Sequence, residues 1–165
     1  MEPLVRALFP GMVLGGYYAL VALGLSLIFG AMHVVNLAHG EILLLGGYVG
    51  YILFTLWNAK LPWVLVASML AAAAAGAVLY WLLLPTRRGS PVNSLVLTYG
   101  AGIVLMNVML QIWGADYRTI AYPALVTAVP VAGLPVSFAE ALAFLISVAG
   151  TAAAWLILER TWSGW

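Results

Sequence analysis

The chain has no cysteine among its 165 residues, and this excludes disulfides, thiolate metal sites and a cysteine nucleophile. Charge is almost as scarce. Six Lys or Arg and five Asp or Glu make up 7% of the residues, whereas a soluble domain carries about 25%. So few charges cannot clothe a globule in water, which excludes an ordinary cytosolic enzyme and a disordered tail. The net charge of +1 offers nothing to a polyanion, so no nucleic-acid partner is expected. Also missing are a G-x-S-x-G elbow, a P-loop and an H-E-x-x-H pair, and with them a hydrolase, direct ATP binding and a zinc site. No metal and no cofactor is predicted, and the chain by itself is no enzyme. What is present is apolar: 65% hydrophobic residues and a mean hydropathy of +1.11. The expected solvent is membrane lipid.

The charges that do occur cut the chain into spans. No charged side chain interrupts residues 7–32, 42–59, 61–86, 89–115 or 141–158. A transmembrane helix needs about 20 mostly apolar residues, and helices satisfy their own backbone in lipid. An all-α polytopic membrane protein is predicted, with about five helices near 7–30, 40–57, 62–84, 92–114 and 138–158. The whole of 1–165 reads as one transmembrane domain. The first span is too long for a signal-peptide core of roughly 7–15 residues, and Glu2 spoils its basic start. Residues 119–137 are apolar but hold Pro123, Pro130 and Pro135, which would break a helix. Alternation around Val126, Val129 and Val131 suits a surface loop with a small hairpin.

Tryptophans near the proposed ends, among them Trp57, Trp63, Trp81, Trp113 and Trp162, fit interfacial belts. Arg87-Arg88 is the only basic cluster and assigns loop 85–91 to the cytoplasm, which puts loop 115–137 outside. Gly11-xxx-Gly15, Gly46-xxx-Gly50 and the Ser68, Ala72, Gly76 series are stripes on which helix backbones can approach closely. Asn107 and Gln111 are expected to hydrogen-bond a neighbouring helix, Glu140 to suit the start of the fifth span, and Asp116 to pair with Arg118 or solvate beside it.

One polar segment breaks the pattern. His33 to Glu41 (HVVNLAHGE) joins two spans without a hydrophilic loop, yet holds two histidines, an asparagine and a carboxylate. Such groups inside a membrane usually face a cavity or a bundle interior. On a continuous helix Asn36 and His39 share a face, while Glu41 sits about 140° from Asn36. Bringing all three together requires a break, and Gly40 is its natural place. Two readings stand for Asn36, His39, Gly40 and Glu41: a polar hinge that locks two helices, and direct contact with a solute.

These residues also carry a resemblance. The stretch from Ala22 to Tyr51 (ALGLSLIFGAMHVVNLAHGEILLLGGYVGY) resembles the N-terminal signature of branched-chain amino-acid ABC transporter permeases. Asn36, Ala38, His39, Gly40 and Glu41 match its N-x-A-H-G-E run, with Leu37 replacing the usual Phe. Ser94 to Gly114 (SLVLTYGAGIVLMNVMLQIWG) is similar to the family's fourth-span region. The resemblance implies a multi-pass subunit of a bacterial inner-membrane importer for branched-chain amino acids or related small polar solutes, working by alternating access. Its implied partners are a second permease subunit, cytoplasmic ATPase subunits and a periplasmic solute-binding protein. Members of the family continue well past the Glu-Arg-Thr at 159–161, so the chain resembles an N-terminal half. An ion-coupled secondary transporter and a non-transporting membrane assembly subunit are the rival readings.

Overall fold

The computed structural model describes residues 2–85, 91–120, 122, 127–131 and 134–161. Its elements run α1 (Glu2–Met32), α2 (His39–Trp57), α3 (Leu61–Leu83), α4 (Pro91–Trp113), β1 (Ala128–Val131), β2 (Leu134–Ser137) and α5 (Phe138–Thr161). Five helices are long and apolar enough to cross a membrane. The protein is therefore an all-α polytopic membrane protein, with one small hairpin between α4 and α5. Its helices follow the charge-free intervals closely. Large apolar side chains such as Leu56, Met69 and Val104 are exposed along them, as suits surfaces that meet lipid rather than water. Arg87, Arg88, Pro123, Val126 and Trp162 lie outside the described residues.

Local chemistry sets most of the element ends. α2 stops at Asn58, which adopts a left-handed conformation (φ 48°) that asparagine tolerates. The backbone N–H groups of Asn58 and Ala59 both donate to the Leu53 carbonyl. Pro62 then opens α3 within its first turn, where a missing N–H costs nothing. Trp57 and Trp63 flank this tight turn, each more than two-thirds exposed. In the hairpin, β1 and β2 are antiparallel, with Val129 opposite Val136 and Pro130 opposite Pro135. Proline fits there because each strand has a free edge.

The chain forms two compact units, one of Met1–Leu27 with Ala121–Trp165 and the other of Ile28–Ile120. In the first unit α1 meets α5. A Cβ at Gly16 would lie 3.3 Å from Ser147 Cβ, and Gly150 sits against Leu20. The contact glycine of α1 is therefore Gly16; a Cβ at Gly11 or Gly15 would meet nothing within 4 Å. α5 begins with a reciprocal cap. Ser137 N donates to Glu140 Oε2 at 2.9 Å, and Glu140 N donates to Ser137 Oγ at 3.2 Å.

In the second unit α2 and α3 form a close antiparallel pair. A Cβ at Gly46 would stand 3.1 Å from the Ser68 carbonyl oxygen and 3.3 Å from Ala72 Cβ. At Gly50 it would stand 2.7 Å from Ser68 Oγ. The core of this unit is Val34, Ala38, Ile42, Leu79 and Leu83, with Leu97, Ala101 and Leu105 of α4 packed against it. Asn107 does not reach a neighbouring helix; its Nδ2 donates to the Ile103 carbonyl of its own helix at 2.8 Å.

Candidate functional site

The break between α1 and α2 is six residues, His33 to Ala38. It starts where His33 takes a positive φ of 54°, with its N–H still donating to Phe29 O at 2.7 Å. One left-handed residue ends the helix and redirects the chain. The following residues are irregular, ending in a turn at Leu37 and Ala38, and they alternate in burial. Val34, Asn36 and Ala38 are buried, whereas His33, Val35 and Leu37 are exposed. The alternation lays every second residue of the break against the core of the unit, with Val34 and Ala38 among its members.

Two polar residues hold the break in place. Asn36 Oδ1 accepts the Ala38 N–H at 3.1 Å, and Asn36 O accepts the His39 N–H at 3.3 Å. This local turn satisfies donors at the start of α2 and is typical of asparagine. From across the interface, the fully buried Thr98 of α4 places its hydroxyl 3.2 Å from Val35 O and 3.1 Å from Leu95 O. Its proton serves both the break and its own helix. Helical pairing in α2 starts with Ile42 N donating to Ala38 O.

The discontinuity thus precedes Gly40, which lies in the first turn of α2 with nothing within 4 Å of a Cβ there. The difference has a geometric consequence. Asn36 and His39 line one cavity of about 360 Å³, walled mainly by apolar side chains from the end of α1 and from α3. Glu41 is not among its lining residues. Its Oε2 is buried against Ala38 and Gly102 of α4 and has no hydrogen-bond partner among the described residues. Because His39 and Glu41 both belong to α2, a break before His39 leaves them about 200° apart around the axis. Asn36 and His39 meet, and Glu41 does not join them.

A second cleft lies along the middle of α2. It measures about 570 Å³ and is lined by Leu44, Gly47, Tyr48 and Tyr51 of α2 and by residues 115–118 and Ile120. Tyr48 stacks on Trp113 at 4.5 Å between ring centroids and 13° between planes. Arg118 donates from Nη2 to Trp113 O at 2.8 Å and from Nη1 to the Tyr51 hydroxyl at 3.4 Å, and its guanidinium sits 5.6 Å from the Tyr51 ring centre. The bond to Tyr51, aided by nearby Asp116, raises the Arg118 pKa above its already high ordinary value. Arg118 therefore engages aromatic groups, and it forms no ion pair with Asp116.

Several of these partners carried no weight in the sequence reading: Thr98, Gly102, Tyr48, Tyr51 and the contacts of Arg118. A signal for the first two exists, since Ser94, Thr98 and Gly102 recur at four-residue spacing on α4. All three are buried. Among the described residues no group of three His, Cys, Asp or Glu could hold a metal ion.

Residues 7–165 match the sequence profile described as branched-chain amino acid transport system, permease component. The chain belongs to this permease family. Over 130 residues it is 29% identical to the high-affinity branched-chain amino acid transport system permease protein LivH of Escherichia coli, covering 73% of this chain and 42% of LivH. LivH of Salmonella typhimurium gives the same figures. BraD of Pseudomonas aeruginosa, a permease protein of the same description, is 28% identical over 116 residues, 64% of this chain and 38% of its own. The chain thus spans less than half the length of the relatives it matches. No solved structure matches. The five spans make the chain a multi-pass membrane protein of this permease family.

Proposed function

We propose that the chain is the membrane-spanning permease subunit of an ABC importer for branched-chain amino acids in a bacterial inner membrane. The observation that carries this reading is the family match over residues 7–165. In this reading a periplasmic binding protein delivers the solute, cytoplasmic ATPase subunits drive the cycle, and a second permease subunit completes the path. The α1–α2 discontinuity supports it physically. The break joins two spans without a hydrophilic loop and leaves backbone groups and polar side chains beside a cavity, as irregular backbone does where transporters gate solutes. Asn36, His39 and Glu41 are the polar groups brought to that break or beside it. Asn36 is engaged in the turn, so its first role here is to hold the hinge.

The test is uptake of labelled leucine in cells lacking their own branched-chain amino-acid transport, with the full permease expressed beside its ATPase and binding-protein partners. Uptake should be restored, and should vanish when the ATPase subunits are inactivated. Uptake that persists on an ion gradient alone would identify a secondary transporter. Absence of uptake with all partners assembled would overturn the reading.

A further inference from the structure

The cleft around Arg118 presents two unlike charges to one space, near enough to act on each other but not joined in an ion pair among the described residues. Asp116 and Arg118 both line it, two residues apart, yet no ion pair joins them among the described residues. The guanidinium is held back by the Trp113 carbonyl and by Tyr51. Those contacts use two of its five N–H donors, so a fixed cation retains donors for an anion. The Asp116 carboxylate has no hydrogen-bond partner among the described residues. Below the charges the cleft follows α2 inward from Tyr51 to Leu44, roughly 10 Å along the helix. That wall is apolar, and Gly47 keeps it open: a Cβ there would meet nothing within 4 Å.

We infer that this cleft is a receiving site for a free α-amino acid with an apolar side chain. Arg118 takes the carboxylate, Asp116 the ammonium, and the wall at Leu44, Gly47 and Tyr48 the side chain. An ion with one charge would leave the other group idle, whereas a zwitterion uses both at once. The fixed, aromatic-backed guanidinium loses little freedom on binding, which favours recognition of a small ligand. The inference rests on the permease reading and assigns the solute's first contact to a place distant in sequence from the Asn36–Glu41 segment.

The experiment is equilibrium binding of tritiated L-leucine to the purified permease–ATPase complex without its solute-binding protein. Saturable binding is expected in the wild type. Asp116→Asn and Arg118→Gln should each weaken it about tenfold or more, the scale of one charge-assisted hydrogen bond. Gly47→Leu should abolish it by filling the cleft without touching a charge or a packing contact. Competitors separate the two ends of the ligand. 4-Methylpentanoate, which lacks the ammonium, should match leucine only in Asp116→Asn. 3-Methylbutylamine, which lacks the carboxylate, should match it only in Arg118→Gln. Binding within twofold of wild type in all three variants would overturn the site, as would loss in Arg118→Gln alone. Wild-type uptake without saturable binding would overturn the site and leave the permease reading standing. Absent uptake would remove the reading itself.

Discussion

Thr98 and Val35 show how one hydroxyl can stabilise a break in a helix. A carbonyl outside a helix, packed in a membrane protein, costs free energy unless a donor reaches it. The Thr98 hydroxyl is the donor found for Val35 O, and its residue is fully buried. Thr98→Val keeps the shape and removes the donor, so it should destabilise the protein by about 1–3 kcal/mol. Thr98→Ser should restore most of that loss. The measurement is the thermal midpoint in detergent, and a Val variant that melts with the wild type would show that the carbonyl finds water instead. Glu41 poses the opposite case. Its buried Oε2 lacks a partner among the described residues, and Gly102 gives it room rather than a hydrogen bond.

At the scale of elements, glycine position separates packing from mere tolerance. Gly46→Ala would push a methyl group against the Ser68 backbone, which cannot rotate aside, and should cost about 1–3 kcal/mol. Gly40→Ala meets open space in the first turn of α2 and should be neutral, or gain up to about 1 kcal/mol from helix propensity. Thermal midpoints of the two variants decide the matter. Equal melting would mean that α2 and α3 are not held at the glycine stripe. The helices themselves were legible because charge and proline mark where lipid cannot be. The contact faces were less so, because a helix that is apolar all round carries no stripe to reveal its inner side. Hence the spacing of Gly11 and Gly15 gives no sign that Gly16 is the glycine that meets Ser147 of α5. The break was legible in kind but misplaced at Gly40, since a left-handed histidine leaves no mark in the sequence. The alternation of Val34, Asn36 and Ala38 is muted because the exposed residues between them, Val35 and Leu37, are apolar too.

For the molecule as a whole, the deciding property is which end of α2 faces which compartment. Within the Ile28–Ile120 unit the turn at Asn58 closes the C-terminal end of α2, and the 114–120 segment returns to Tyr51 in that same half of the helix. His33 belongs to the break that precedes the opposite end of α2. Residues 58 and 117 should therefore share one side of the membrane, with residue 33 toward the other. The basic pair Arg87-Arg88 follows α3, so the His33 end is expected on the cytoplasmic side. The absence of cysteine makes the test direct. Asn58→Cys and Tyr117→Cys should react with an impermeant maleimide in intact cells whose outer membrane is permeabilised. Tyr117 is 96% exposed, so its failure to react could not be blamed on burial. His33→Cys, at a position that is also exposed, should react only after the inner membrane is opened. Reaction of His33→Cys with neither of the others would invert the orientation and place the Arg118 cleft on the cytoplasmic side, where it would release solute rather than receive it. Reaction of all three from outside would contradict the spans themselves, because α2 would then not cross the bilayer.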